Sequence, residues 1–401
     1  MHDNPVDREK LAIALVVQRY GVEVNGGAEF LCRQVAEHLA LHFQVHVLTS
    51  CALDYLRWKD HYPAGTTVMN GVHVHRFPVD KPRNPRRFRR LTQRLFSSAR
   101  PWFDQLEWMR KQGPFSTPLF DFIRAQRDSL AAFIFFTYLY PTTYFGLQLV
   151  PEKAALVPTA HDEPFLYLDL FRPLFHLPRF LIYNTEIERD LVEGLFANAH
   201  VPHAVVGCGI DVPGGVDAAR FREKYDLHEP FILYVGRIDN AKNCPELFQD
   251  FIHFKQSHPG DLKLVLMGKA VIPVPPHPDI VSLGFVSEAD KFDGMAAAAV
   301  LVVPSRYESL SLVSLEAWRV ETPLLVNGQC AVLREHCLQS RGGLCYNSRF
   351  EFAAGLQRLL KDPDLGRQLG RQGAAYVAQR YDWAKIEAQY LDILRRVAKS
   401  L

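Results

Sequence analysis

Leu301-Val302-Val303-Pro304-Ser305-Arg306-Tyr307-Glu308-Ser309-Leu310-Ser311-Leu312-Val313-Ser314-Leu315-Glu316 passes from an apolar run through a polar turn into a helical pattern. Branched apolar residues closed by proline read as a buried strand. Glu308 falls in the turn, and Glu316 lies one or two turns into the helix predicted over Ser311–Trp318. The first amides of such a helix, from Ser309 to Leu312, lack intrahelical partners and suit an anion. Each acid has two readings. Glu308 is a solvated loop carboxylate or an acceptor for sugar hydroxyls; Glu316 is an outward helix position or a ligand for a ribose diol.

The same alternation recurs along the chain. Leu11–Val17, Val45–Thr49, Phe133–Thr137, Ala155–Thr159, Leu181–Asn184 and Ala204–Val206 read as buried strands, with a helix over Gly27–His42. After the Gly/Pro-rich stretch Asp211–Asp217 the pattern restarts with strands at Phe231–Val235, Lys263–Met267, Ile280–Leu283, Val300–Val303 and Leu324–Val326. Helices are expected over Pro245–Gln256, Glu288–Ala297, Phe350–Leu360 and Trp383–Ala398. Such alternation predicts βαβ units and parallel sheets. The 401 residues exceed one ordinary core and fit two domains. We expect an α/β chain of two doubly wound domains, residues 1–212 and 213–380, with a final helical segment 381–401. Ligands of open α/β sheets bind beyond the carboxyl ends of the strands, so the chemistry is sought in the loops there.

Three further loops carry candidates. Gly26-Gly27 follows the first strand and opens a helix, which gives either a tight turn or a close approach to an anion. Gly236-Arg237 with Lys242-Asn243 places two cations at a strand end, suited to clamping a diphosphate or merely solvated. His161, in Thr159-Ala160-His161-Asp162-Glu163, is a hydrogen-bonding or acid/base group, or a structural histidine. Asp362-Pro363-Asp364 has a metal-binding form, but an aspartate cap with proline at the first helical position accounts for it.

Hydrophobic residues make up 48% and charged residues 22%, which excludes a disordered or fibrous chain. Seven cysteines without a Cys-x-x-Cys pair favour a reducing compartment, and Cys330, Cys337 and Cys345 are too irregularly spaced for zinc. Met1–Lys10 carries both signs of charge and is followed by only seven apolar residues, so no secretory signal is expected. The uncharged window Ala131–Val150 reads as a strand, a turn at Pro141 and a short helix rather than a membrane span. Lys81–Arg100 holds eight basic side chains and no acid, inside a segment, 81–120, that reads as an insertion. With Phe88, Leu91, Leu95 and Phe96 interleaved, it suits anionic lipid headgroups or is simply a solvated excursion; nucleic acid is not expected.

The chain resembles the retaining glycosyltransferases of family 4, which have the GT-B fold and use nucleotide sugars. The resemblance rests on Asn25-Gly26-Gly27-Ala28-Glu29, Thr159-Ala160-His161-Asp162, Gly236-Arg237 with Lys242-Asn243, Gly284-Phe285-Val286 and the Glu308–Glu316 spacing. It implies two Rossmann-like domains facing across a cleft, with a C-terminal helix crossing back to the first. It also implies that Gly26, Gly27 and Gly236 approach the donor, that Arg237 and Lys242 neutralise the diphosphate, and that Val286 borders the base. Glu308 would hold the donor sugar, the amides of Ser309, Leu310, Ser311 and Leu312 its phosphate, and Glu316 the ribose, with His161 near the reacting carbon. The turn departs from the family's commoner Glu-Gly-Phe-Gly by reading Glu-Ser-Leu-Ser.

The function so implied is transfer of a hexose-type sugar to a glycan or lipid-linked saccharide, in cell-surface polysaccharide or lipopolysaccharide synthesis. No metal or cofactor is expected beyond the nucleotide-sugar co-substrate. The expected place is the cytoplasm, with a peripheral contact on the inner face of the cell membrane. The rivals are a non-catalytic nucleotide-sugar-binding subunit and a sugar-nucleotide epimerase of the same fold.

Overall fold

The computed structural model describes residues 10–24, 26–97 and 101–398. Asn25 of the glycine motif, Arg100 of the basic run and the first nine residues lie outside the described residues. The chain divides into two units, one running to Gly207 and resuming at Glu387, the other spanning Cys208–Ile386.

The first unit has an eight-stranded sheet among the described residues. Its strands are β1 (Ala12–Val16), β2 (Gln44–Ser50), β3 (Gly65–Met69), β4 (Val72–Phe77), β5 (Phe133–Phe136), β6 (Ala154–Val157), β7 (Phe180–Tyr183) and β8 (His203–Val205). Their order is β3-β4-β2-β1-β5-β6-β7-β8, parallel throughout except for the antiparallel β3–β4 edge. Central strands such as β5 and β6 are buried along their whole length, as strands covered on both faces must be. The β3–β4 hairpin was not among the expected strands. Its turn is Asn70-Gly71, both at positive φ, the backbone that a two-residue hairpin loop requires.

Helix Pro85–Ser97, in the basic run, turns its apolar side inward. Leu95 is buried, and Phe88, Leu91 and Phe96 pack on the core of this unit; the Phe88 ring lies 5.8 Å from Trp108 and that of Phe96 5.4 Å from Phe165. Their apolar area is spent inside the unit. Arg86, Arg87, Arg89, Arg90 and Arg94 remain exposed. Arg83 does not, since it donates to the carbonyls of Leu56 (2.8 Å) and Gln112 (2.9 Å). The window Ala131–Val150 folds as β5, a turn and helix Pro141–Leu147, as expected. No described helix is long and apolar enough to cross a membrane.

The second unit has a six-stranded parallel sheet among the described residues. Its strands are β9 (Phe231–Val235), β10 (Lys263–Met267), β11 (Ile280–Gly284), β12 (Val300–Val303), β13 (Leu324–Asn327) and β14 (Gly343–Tyr346), in the order β11-β10-β9-β12-β13-β14. Relabelled from β9, this is the 3-2-1-4-5-6 order of nucleotide-binding doubly wound sheets, whose strand order reverses between β9 and β12. Asp362 caps helix Pro363–Arg380 by accepting the Leu365 amide at 3.0 Å, which explains Asp362-Pro363-Asp364 without a metal.

The Gly/Pro-rich stretch ends in another cap. Asp217 accepts the amides of Ala219 (2.8 Å) and Arg220 (3.2 Å), and its own amide donates to buried Asp293 at 2.7 Å. Helix Trp383–Ala398 passes from one unit into the other at Glu387, where the carboxylate meets His38 Nδ1 at 2.6 Å and His42 Nε2 at 3.3 Å.

Candidate functional site

Crevices of doubly wound sheets open where the strand order reverses, and here the loops after β9 and β12 flank that point. The loop after β9 begins at Gly236, whose φ of 145° a residue with a Cβ rarely adopts. A Cβ on Gly268, the matching residue after β10, would fall 1.9 Å from the Gly236 carbonyl oxygen. The two backbones therefore close on each other only because residue 268 is glycine.

Asp239 organises the rest of the loop after β9. Its buried carboxylate accepts from the Arg237 guanidinium and, at 2.8 Å, from the Lys242 amide. The Lys242 side chain then crosses to the next loop and meets Glu308 at 2.6 Å. Asn243, at φ 59° ahead of helix Cys244–Ser257, donates to the Pro304 carbonyl at 3.2 Å. Asn327, at the end of β13, donates to the same oxygen at 3.0 Å. Arg237, Lys242 and Glu308 thus share one small region of the second unit, each in a loop that follows a strand.

Glu316 is buried rather than outward on helix Leu312–Arg319, and it pairs with Lys291 at 2.9 Å. Ser311, ahead of that helix, is left-handed (φ 61°, ψ 65°), and its hydroxyl lies 2.9 Å from that of Ser314. Leu310 is buried, and its carbonyl is held by His336 at 2.9 Å. Val286 follows β11, next to Phe285, which is 64% exposed and therefore open to a flat partner.

In the first unit, Gly26 and Gly27 separate in character. A Cβ on Gly26 would meet Glu29 Oε2 at 2.2 Å, whereas one on Gly27 would meet nothing within 4 Å. Glu29 is locked by Arg19, whose Nε lies 2.8 Å from it and whose guanidinium also reaches the Leu53 carbonyl at 2.9 Å. Gly26 is therefore required by the packing of its own loop. His161 follows β6 and Thr159, a threonine at φ 51°. The Ala160 amide donates to Glu188 at 2.5 Å, and Tyr138 donates to Glu163 at 2.7 Å, with the same Glu163 oxygen 3.4 Å from His161 Nδ1. Burial pushes the Glu188 carboxyl up to about 8, against the lowering pull of the Asn184 and Ala160 amides.

Sequence reading missed Asp239, Lys291, Asn327 and His336. Asp239 sits between the two cations and was open to discovery as their natural counter-ion. The other three come from separate elements and reach their partners, Glu316, Pro304 and Leu310, only in the fold.

Residues 229–362 match the family model described as glycosyl transferases group 1. This stretch is similar to the group 1 glycosyltransferase domains. Among curated relatives, alpha-maltose-1-phosphate synthase of Mycolicibacterium smegmatis is 28% identical over 230 residues, 48% of this chain and 57% of the relative. D-inositol 3-phosphate glycosyltransferase of Streptomyces bingchenggensis is 30% identical over 247 residues, 53% of this chain and 52% of the relative. The chain spans about half the length of the curated relatives it matches.

Solved structures align over nearly all of it. Sucrose-phosphate synthase from Thermosynechococcus elongatus gives a TM-score of 0.74 at 18% identity, covering 98% of this chain and 100% of that one. Anabaena HepE in complex with UDP and glucose gives 0.69 at 15%, with 98% and 100% covered. WaaG, a glycosyltransferase involved in lipopolysaccharide biosynthesis, gives 0.65 at 13%, with 95% and 99% covered. The fold is that of the GT-B glycosyltransferases.

Proposed function

We propose that this chain is a retaining glycosyltransferase of the family 4 type, moving a hexose-type sugar from a nucleoside-diphosphate sugar to a glycan or lipid-linked saccharide. The observation that carries the reading is the 2.6 Å contact between Lys242 and Glu308 across the reversal point of the second sheet. A cation suited to a diphosphate and a carboxylate suited to sugar hydroxyls there satisfy each other. A donor would exchange that contact for two better ones, with phosphate on Lys242 and hydroxyls on Glu308. UDP and glucose in the HepE complex are the kind of ligand such a pair would take.

In this mechanism Arg237 and Lys242 stabilise the charge that develops on the departing diphosphate as the anomeric carbon turns positive. Asp239 aims both, through the Arg237 guanidinium and the Lys242 amide. Gly236 lets backbone approach the donor, and the amides of Ser309, Leu310, Ser311 and Leu312 face its phosphate. Val286 borders the base and Glu316 takes the ribose. Retention follows if the acceptor attacks on the face the diphosphate leaves, with the phosphate taking its proton. The expected setting is polysaccharide or lipopolysaccharide synthesis at the cytoplasmic face of a membrane, without a metal.

A thermal-shift panel with uridine, guanosine and adenosine diphosphates tests the donor site, because a ligand selective for the folded state raises its stability. One of the three should stabilise the protein, and Arg237→Ala should weaken that effect. Glu308→Ala should abolish transfer while leaving the fold intact. No stabilisation by any nucleotide would defeat the reading.

A further inference from the structure

His336 lies on helix Ala331–Ser340, 3% exposed, and carries no role in the donor motifs themselves. Its Nε2 is 2.9 Å from the Leu310 carbonyl oxygen and its Nδ1 is 3.0 Å from the Tyr376 hydroxyl. A carbonyl only accepts, so Nε2 carries the proton and the neutral ring accepts from Tyr376 at Nδ1. Burial favours that neutral form and brings the imidazole down to about 4. Trp318, Tyr376 and Tyr381 meet the ring edge-on, at 6.3, 5.9 and 6.1 Å between centroids. The ring is thereby fixed in place and in tautomer.

The next residue after the held carbonyl is Ser311, a serine in the left-handed conformation that glycine adopts freely. Left to itself, a serine here favours ordinary backbone, which would swing the first amides of helix Leu312–Arg319 away. Two contacts oppose that relaxation: His336 on the Leu310 carbonyl, and the Ser311–Ser314 hydroxyl pair.

We propose that His336 is a positioning residue for the donor-phosphate turn, clamping Leu310 so that Ser311 keeps its left-handed backbone without being glycine. The inference rests on the donor-site reading under Proposed function. It also accounts for a serine at the second glycine position of the family's commoner turn: the conformation is imposed by a neighbour instead of being free.

Calorimetric titration of UDP, GDP and ADP into the full chain tests it. For whichever nucleotide binds the wild type, His336→Ala should weaken affinity about tenfold, roughly 1.4 kcal/mol. His336→Gln should recover most of it, because its amide nitrogen reaches the same carbonyl. Combined with His336→Ala, Ser311→Gly should restore affinity to that of Ser311→Gly alone, because glycine needs no clamp. A merely structural histidine would give a loss that Ser311→Gly leaves untouched, and that result overturns the proposal. So does unchanged affinity in His336→Ala. Should His336→Ala not fold, Tyr376→Phe takes its place: a loss of about threefold that Ser311→Gly rescues supports the clamp, and unchanged affinity or no rescue overturns it. Failure of all three nucleotides to bind the wild type is a separate outcome that removes the donor site itself, and the clamp's role with it.

Discussion

Lys291 and Glu316 meet at 2.9 Å inside the second unit, with side chains only 11% and 7% exposed. Burial works against the lysine's charge, but the Glu316 and Glu288 carboxylates outweigh it and raise its pKa above the ordinary range. Such a pair is costly to halve, because the survivor is left charged and buried. Lys291→Met should therefore cost about 3–5 kcal/mol in urea unfolding. The double variant Lys291→Met/Glu316→Leu should recover much of that. Glu316→Gln should raise the donor KM more than it lowers stability if the acid also serves ribose. An unaltered urea midpoint in Lys291→Met would show that the pair is solvated in solution.

Gly26 and Gly27 give opposite expectations although they are neighbours. Gly26→Ala drives a methyl onto Glu29, which Arg19 holds in place, so a loss of about 1–3 kcal/mol is expected from overpacking. Gly27 begins helix Gly27–Leu39 with open space around it, so Gly27→Ala should gain about 0.4–1 kcal/mol by restricting the unfolded chain. Thermal unfolding reads both. If Gly27 also approaches donor phosphate, the same variant should lose transfer while melting higher; full activity would reduce the glycine pair to a turn.

Proton linkage acts in two directions. His336 is lowered to about 4 by burial, and His75 to about 4 by burial and then by the His46 and His73 imidazoles. Folded values below the unfolded value of about 6.5 mean that the unfolded chain binds protons first, so these groups cost stability as pH falls from about 6.5 towards 4. Glu188 does the reverse. Raised to about 8, it contributes stability fully below its unfolded pKa and loses it as pH climbs through 8. Between pH 7 and 5 the two effects offset each other in the wild type. Glu188→Gln should therefore lose up to about 1.4 kcal/mol more per pH unit on acidification, and His336→Gln up to about 1.4 kcal/mol less. His75 is partly open to solvent, so its share is smaller. Urea midpoints at pH 7, 6 and 5 measure the slopes; identical slopes in all three proteins would rule out these linkages.

Legibility in the sequence depends on how local each signal is. Buried strands such as Phe231–Val235 and Val300–Val303 declare themselves by continuous branched apolar residues, and the structure places them within those limits. Arg237, Lys242 and Glu308 were legible because each comes after a strand, and strand ends converge in this fold. The β3–β4 hairpin carried its own Asn70-Gly71 signal but has weak alternation, since β3 is mostly exposed. Lys291 and His336 could not be found in this way. Each acts through a residue 25 or 26 positions distant, and both look like ordinary helix positions until packing brings the partner in. The basic run stayed open for a related reason: interleaved aromatics look alike whether they face lipid or their own core.

That run makes the last prediction. Helix Pro85–Ser97 spends Leu95, Phe88, Leu91 and Phe96 inside the first unit, leaving a face of arginines. Any membrane contact it makes is therefore chiefly electrostatic, at about 1 kcal/mol per arginine near an anionic surface, and it fades as salt shortens the screening length. Trp102 and Phe103, 41% and 82% exposed at the start of helix Trp102–Gln112, are nearby in sequence and add an apolar element. In liposome flotation the protein should rise with vesicles containing anionic lipid and stay down with neutral ones. Replacing Arg86, Arg87, Arg89 and Arg90 with serine should abolish flotation at low salt, whereas Phe103→Ser should weaken it only in part. Because those arginines are exposed, their removal should leave the melting temperature nearly unchanged. Flotation that persists in the four-arginine variant, or that ignores salt, would assign the contact to another surface.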